Sequence, residues 1–389
     1  VCLLLLLLAQ PLAAADADAV YAEGARHLFN LDFDLAEAEF RSLTRDYPNN
    51  PDYWNALGTT YWLRILYNQQ KLSMESFSGK DRFGTSDSKD SGGEAEEKQL
   101  RDTVDRAIAL ADAALKKNPK DLRALYAKGV SQATLASFEA TIRRSWLSAA
   151  WKAKSAKNLH KDVLKLDPNF NDARAAVGIY NYAVGSLTRT ARFMVFMVGL
   201  GGDGKEAGIR DLEIAAQKGT RASIDAKMLL MVVYGREGQF DKALALIDEL
   251  HAKYPRNFMI EMAKGSVYER MKRWDLAAQT YRQIADKVII HTNGYDRLRV
   301  ERVYTELANS QFQGQKFEDA TATFALITRS PGSTPNEKAS AYLWMARMAD
   351  TRNDRPEAMR LYRQIEALDC DPSFKSDAQK GLRKPFSSP

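Results

Sequence analysis

Three glycines stand in a spacing that can cradle a phosphate: Gly199, Gly201 and Gly204 give G-x-G-x-x-G inside FMVFMVGLGGDGKEAGIRDLEIAA, after an apolar run and ahead of a helical segment. In a dinucleotide-binding turn, backbone N–H groups and the start of the following helix receive the pyrophosphate. That chemistry requires parallel strands alternating with helices, and an acidic residue closing the second strand to hold the ribose. Here the flanking segments carry helical period and Ala-rich faces, so the glycines read as a turn between helices. No cofactor is expected.

Other reactive constellations are sought with the same result. His27, His160, His251 and His291 are far apart and lack the H-x-x-x-H or H-E-x-x-H spacing of a zinc site. Cys2 and Cys370 are the only cysteines, which excludes multi-Cys metal sites, and with Cys2 in a leader no intrachain bridge remains. There is no G-x-S-x-G nucleophile elbow, and Cys370 has no base nearby in sequence. Gly79-Lys80 lacks the upstream glycine and following hydroxyl of a phosphate loop. The neighbouring carboxylates Glu96 and Glu97, or Asp369 and Asp371, lie where solvation accounts for them. The expectation is a protein that is not an enzyme, with no metal site and no small-molecule substrate.

Composition sets the class. Hydrophobic residues make up 45% and charged residues 27%, ordinary values for a chain with a large core. Against 50 acidic residues stand 56 basic ones, a net charge of +6 that demands no nucleic-acid partner. The opening VCLLLLLLAQPLAAADA reads as the remainder of a secretory signal peptide over residues 1–15. Leu3 to Leu8 would be its apolar core and Ala13 to Ala15 its small-residue cleavage region. The run is shorter than the roughly 20 residues that span a bilayer. An exported protein follows, periplasmic or associated with the cell envelope, with secretion as an alternative.

The elements that would position any site emerge from repeats. PDYWNALGTTY puts Trp54, Leu57, Gly58 and Tyr61 in the spacing W-x-x-L-G-x-x-Y, and the preceding DFDLAEAEFRSLTRDYPNN supplies Ala36, Phe40, Leu43 and Pro48. A small residue lets two helices approach, the larger ones fill the space between them, and proline ends the unit. The second frame recurs at Ala107, Ala111 and Ala114, at Ala156, His160 and Val163, at Gly208, Leu212 and Ala215, and at Ala243, Ile247 and Leu250. It continues at Ala277, Tyr281 and Ile284, at Ala320, Phe324 and Ile327, and at Ala358, Tyr362 and Ile365. Gly129, Gly178 and Gly265 mark the close-packing position of first helices. This pattern resembles the tetratricopeptide repeat family. The resemblance implies an all-α fold: an α-solenoid of about eight helix-turn-helix repeats forming a right-handed superhelix.

The frame divides the chain into a leader (1–15), N-terminal repeats (16–67), a flexible insertion rich in Ser, Gly and charge (68–98), middle repeats with longer hairpins (99–221), further repeats (222–288), and C-terminal repeats with a tail (289–389). Two stretches stand outside it. In ATIRRSWLSAAWKAKSAKNLHK, Arg143 and Arg144 gather with lysines near Trp146 and Trp151, and the expected arrangement is a solvated basic face over buried tryptophans. ARFMVFMVGL, with Phe193 and Phe196, is apolar all round, for which burial is the expectation. The alternative for both is contact with a membrane surface. Residues 185–219 also resemble a stretch of the eukaryotic inclusion body clearance family, whose tetratricopeptide-like members include a mitochondrial outer-membrane-associated protein. Gly199, Gly202, Asp203 and Gly208-Ile209 carry that resemblance, while Thr188 and Leu200-Gly201 depart from it. It implies a shared scaffold and no catalytic residues.

The expected function is that of an exported scaffold binding a protein or peptide in the concave groove lined by first helices. Helical phase nominates Asn55, Thr59, Trp62, Arg174, Asn181 and Glu269 as groove contacts. The alternative is a peripheral membrane or lipid-handling protein using Arg143, Arg144, Trp146, Trp151, Phe193 and Phe196.

Overall fold

The computed structural model describes residues 2–72 and 93–387, with side chains from Asp16 onward. The anticipated insertion at 68–98 falls mostly outside the described residues. Among them are eighteen α-helices and no strand. The chain divides into two units, residues 1–80 with 88–257, and residues 81–87 with 258–389.

The first unit carries α1 (Cys2–Phe29) with α2 (Phe33–Asp46), α3 (Pro51–Asn68) with α4 (Glu94–Lys117), and α5 (Leu122–Thr141) with α6 (Trp146–Leu166). Next come α7 (Ala173–Gly185), a short α8 (Arg189–Met197) and α9 (Lys205–Lys218), then α10 (Ser223–Arg236) with α11 (Phe240–Lys253). First helices pack on their own second helices, and three of them also on the next first helix: α3 meets α5, α5 meets α7, and α7 meets α10. The second unit pairs α12 (Phe258–Arg270) with α13 (Trp274–Ile289), α14 (Val300–Gln313) with α15 (Phe317–Arg329), and α16 (Pro335–Thr351) with α17 (Arg355–Glu366), and ends in α18 (Pro372–Arg383). The architecture is an all-α solenoid.

The small-large-medium frame is what holds each pair. Ala36, Phe40 and Leu43 are buried on α2, as are Ala243, Ile247 and Leu250 on α11, Ala320, Phe324 and Ile327 on α15, and Ala358, Tyr362 and Ile365 on α17. The alanine admits the neighbouring backbone, and the two larger side chains remove apolar surface from water on either side of it. The closest approach is α7 against α9. A Cβ on Gly178 would lie 2.8 Å from the Gly208 carbonyl oxygen, and one on Gly208 would lie 2.4 Å from the Tyr182 nitrogen. Only glycine fits at either position.

Most turns inside a pair share one device. Leu31, Lys272, Gln315 and Asn353 adopt φ of 63°, 57°, 62° and 61°, and Gly238 adopts 73°. Each left-handed residue lets the following N–H return to a carbonyl five residues earlier: Asp32 to His27, Gln239 to Tyr234, Arg273 to Tyr268, Lys316 to Gln311, and Asp354 to Ala349. This satisfies the orphan carbonyls of the first helix and reverses the chain within three residues. A capping box at Thr334 and Glu337, with Pro335 in the first turn, starts α16.

Within the first unit α1 reaches far along the sequence. Asp32 forms an ion pair with Arg256, Asn257 Nδ2 donates to the Phe29 carbonyl at 2.9 Å, and the Phe29 and Tyr254 rings lie 5.3 Å apart. Nearer its start, Asp18 and Tyr21 meet Arg221. The five pairs of this unit therefore curl until the first helix faces the lead-ins to the last ones.

Candidate functional site

Three of the six nominated groove residues are buried in seams, which corrects their assignment. Asn55 lies between α3 and α5, where its Nδ2 donates to the Ala127 carbonyl at 2.8 Å and its Oδ1 accepts from Ser131 at 2.7 Å. Trp62 donates from Nε1 to Thr141 at 3.0 Å in the same seam, and Thr59 sits 3.3 Å from Thr134 there, half-buried. Asn181 is fully buried on α7. Arg174 pairs with Asp211 of α9 at 2.9 Å, and Glu269 accepts from Ser310 at 2.9 Å in the second unit. A first helix packs on two sides, so some of its polar residues face neighbouring helices and not the groove. The six are not brought together.

Asn181 has another task. It accepts from the Asp203 N–H at 3.1 Å and donates to the Asp203 carboxylate at 3.1 Å, while Lys161 of α6 pairs with that carboxylate at 2.5 Å. Lys157 donates to the Gly201 carbonyl and the Tyr180 hydroxyl to the Leu200 carbonyl. The glycine turn is thus fastened to α6 and α7 largely through its carbonyl groups. Gly199 and Gly204 are there for their positive φ of 76° and 101°. No strand precedes the turn among the described residues, so its glycines match a nucleotide loop in spacing alone.

The residues that do converge come from the beginnings of first helices. Asp18 and Tyr21 on α1, Asp52 on α3, Arg123 and Tyr126 on α5, Asp172 just before α7, and Arg221 and Asp225 at α10 share one neighbourhood on the inner side of the first unit. Arg221 is its hinge: it pairs with Asp52 at 2.9 Å and Asp18 at 3.5 Å, and its guanidinium lies 4.4 Å from the Tyr21 ring centre. Asp172 Oδ1 accepts the N–H groups of Thr220, Arg221 and Ala222 at 2.7, 3.1 and 3.0 Å, holding that lead-in in place.

Carboxylates outnumber cations on this wall, four to two. Enclosure by protein, then the Asp172 carboxylate, push the Asp225 carboxyl up to about 7. Burial also raises Asp52, the Arg221 charge opposing it. Asp18, Arg123 and Asp225 nevertheless remain open to solvent. The wall is a wet, enclosed surface, and neither composition nor repeat spacing marked its residues, because they are scattered over 208 positions from Asp18 to Asp225.

The two stretches outside the repeat frame depart from expectation. Trp146 and Trp151 are exposed at 55% and 45%, and no residue of α8 is buried. Phe193 and Phe196 are exposed at 61% and 67%, so of the burial anticipated for 191–200 only that of Leu200, at 4% exposure, is complete. Arg143 pairs with Glu97 at 3.2 Å, and Arg144, exposed with φ of 53°, turns the chain from α5 into α6.

Three stretches, residues 21–64, 98–151 and 232–288, match the tetratricopeptide repeat family, and all three fall on helix pairs carrying the buried frame described above. The chain is a tetratricopeptide repeat protein. None of the matched stretches includes residues 185–219. Among solved structures, the repeat protein is similar to yeast Tom70, at 15% identity over 92% of this chain and 86% of that one, with a TM-score of 0.37. It is similar to the APC/C hetero-tetramer Cut9-Hcn1 at 10% identity over 91% of this chain, with a TM-score of 0.47, and spans 53% of that chain. A tetratricopeptide repeat protein from Parabacteroides merdae matches at 13% identity over 95% of this chain and 99% of the other, with a TM-score of 0.25. No curated protein sequence matches with significance. Stacked repeats of this kind are scaffolds for protein interaction, their first helices offering an extended inner surface.

Proposed function

We propose that this tetratricopeptide repeat protein is an exported, non-catalytic scaffold that receives a protein partner on the inner wall of its first unit, through a segment carrying Lys or Arg. The observation behind this reading is the imbalance on that wall: four carboxylates, Asp18, Asp52, Asp172 and Asp225, share it with Arg123 and Arg221, and the pairs that Arg221 makes are to Asp52 and Asp18. A cation brought against Asp225 would favour its ionised form. Tyr21 and Tyr126, half-buried in the same place, offer aromatic faces to the same segment. The leader-like composition of residues 1–15 supports export.

The test is capture from envelope extracts of the native host, comparing the wild-type chain with the Asp18→Lys/Asp225→Lys double variant. A single stoichiometric protein retained by the wild type and lost by the variant is the expected result. Equal capture by both would remove the inner wall from the account. Calorimetry on the captured partner adds a signature: binding should strengthen as pH rises through about 7, where Asp225 gives up its proton. Cell fractionation followed by N-terminal sequencing tests export separately, a mature chain starting near Asp16 being the expected product.

A further inference from the structure

We propose that α8 and the start of α6 form a docking surface for an anionic lipid membrane, separate from the inner wall. These two helices leave large apolar side chains unburied. On α8 only Ala191 and Val195, four residues apart, turn partly inward, while Phe193, Met194, Phe196 and Met197 stand 61% to 67% exposed. Trp146, Leu147 and Trp151 are 55%, 66% and 45% exposed on α6. Isolated apolar side chains are normal on a protein surface, but a short helix with its large side chains all outward is not.

The two sets belong to one surface. Going back along α6 from Lys161 through Lys157 to Lys154, its side chains meet Asp203, the Gly201 carbonyl and the neighbourhood of Gly199 in turn. Lys154 Nζ is also 4.9 Å from the Trp151 ring centre, so the same side chain touches the aromatic set on α6 and the end of α8.

Charge identifies the occupant. No Asp or Glu occurs between Glu139 and Asp162, nor between Asp172 and Asp203, whereas Arg144, Lys152, Lys154, Arg189 and Arg192 all fall within those intervals. These cations thereby surround an exposed apolar cluster. Cations ringing exposed Trp, Phe and Met match an anionic headgroup layer above acyl chains, with tryptophan at the boundary between them. No helix among the described residues is long and apolar enough to cross a membrane, so the contact is a surface one. Arg192, which donates to the Gly185 carbonyl at 2.7 Å and the Leu187 carbonyl at 3.1 Å, anchors the base of α8 and fixes the angle at which its tip is presented.

The experiment is co-sedimentation of the full chain with vesicles of phosphatidylcholine alone or with about one-third phosphatidylglycerol. It is repeated for Phe193→Ser/Phe196→Ser and for Arg189→Glu/Lys154→Glu. Circular dichroism and melting confirm that each variant is folded. Preferential binding to the anionic vesicles is expected, weakened at least about tenfold by either double variant and by added salt. Vesicles with brominated acyl chains should quench tryptophan emission in the wild type, and Trp146→Tyr/Trp151→Tyr should abolish that quenching, since the other four of the six tryptophans lie elsewhere. Binding that persists unchanged in both double variants, or quenching that survives loss of Trp146 and Trp151, would overturn the proposal. So would a self-association or a protein complex removed by Phe193→Ser/Phe196→Ser in a chain that ignores anionic vesicles.

Discussion

Acid should weaken the first unit at one identifiable residue, His160. Its side chain fills the medium-to-large position of α6 at 2% exposure, with Nδ1 2.8 Å from the Ala156 carbonyl and the ring edge-on to Tyr126 at 5.2 Å. Nδ1 therefore carries the hydrogen and donates it to the carbonyl. Burial holds the imidazole down from 6.5 to about 4, the Ala156 carbonyl opposing the shift. A depressed histidine is neutral in the fold and protonates first in the unfolded chain, so stability is complete above about pH 6.5 and is lost as pH falls toward 4. The full shift corresponds to about 3 kcal/mol, of which about 2 kcal/mol is gone at pH 5. Room for relaxation is small, because a Cβ on Gly129 would already lie 2.4 Å from His160 Cε1. His160→Leu removes the proton-linked contribution while leaving an apolar side chain of similar size. Urea unfolding of both proteins at about pH 8 and pH 5 should show the wild-type advantage shrinking by about 2 kcal/mol between the two conditions. A difference that stays constant with pH would refute the reasoning.

Other consequences follow from the same packing. Asp225 is raised in the fold, so its contribution has the opposite sign: the wild type loses stability as pH rises from about 4 through about 7, and Asp225→Asn should flatten that part of a melting-temperature profile. Gly208→Val, which drives side-chain atoms into the α7 backbone, should cost about 3 kcal/mol in chemical unfolding, with the expressed protein losing helical signal at a lower temperature. Gln315→Gly relieves a left-handed side chain at φ 62° and should stabilise the second unit by about 0.5 kcal/mol after the greater freedom of the unfolded glycine is counted.

What the sequence disclosed and what it hid follow from how repeats are built. The small-large-medium positions are legible because each unit must solve the same packing problem against its neighbour, and the solution repeats: Ala36 with Phe40, Ala320 with Phe324, Ala358 with Tyr362. The tight turns at Leu31, Lys272, Gln315 and Asn353 were invisible because the left-handed position itself holds a residue other than glycine. The nominated groove failed at Asn55 and Asn181 for a different reason. Helical phase separates one face from the opposite one, but a first helix sits between its own partner and the next repeat, and phase cannot tell a polar seam from a solvent wall. The inner wall was hidden by distance, since Tyr21 and Asp225 meet only after five helix pairs have curled. The exposure of α8 contradicts a sound rule about all-round apolar helices. That helix lies outside the repeat frame, where the regular spacing of buried positions provides no partner for it.

The central claim is that the inner wall of the first unit holds a protein partner. The most direct measurement is site-specific photo-crosslinking in the native host, with the photoreactive residue at Arg123 on the inner wall or at Asp241 on the outer second helix α11, both of them exposed. A single protein adduct from position 123, absent from position 241 and lost when Asp225 is replaced by Lys, is the result the account predicts. Adducts of equal yield from both positions, or from position 241 alone, would contradict it.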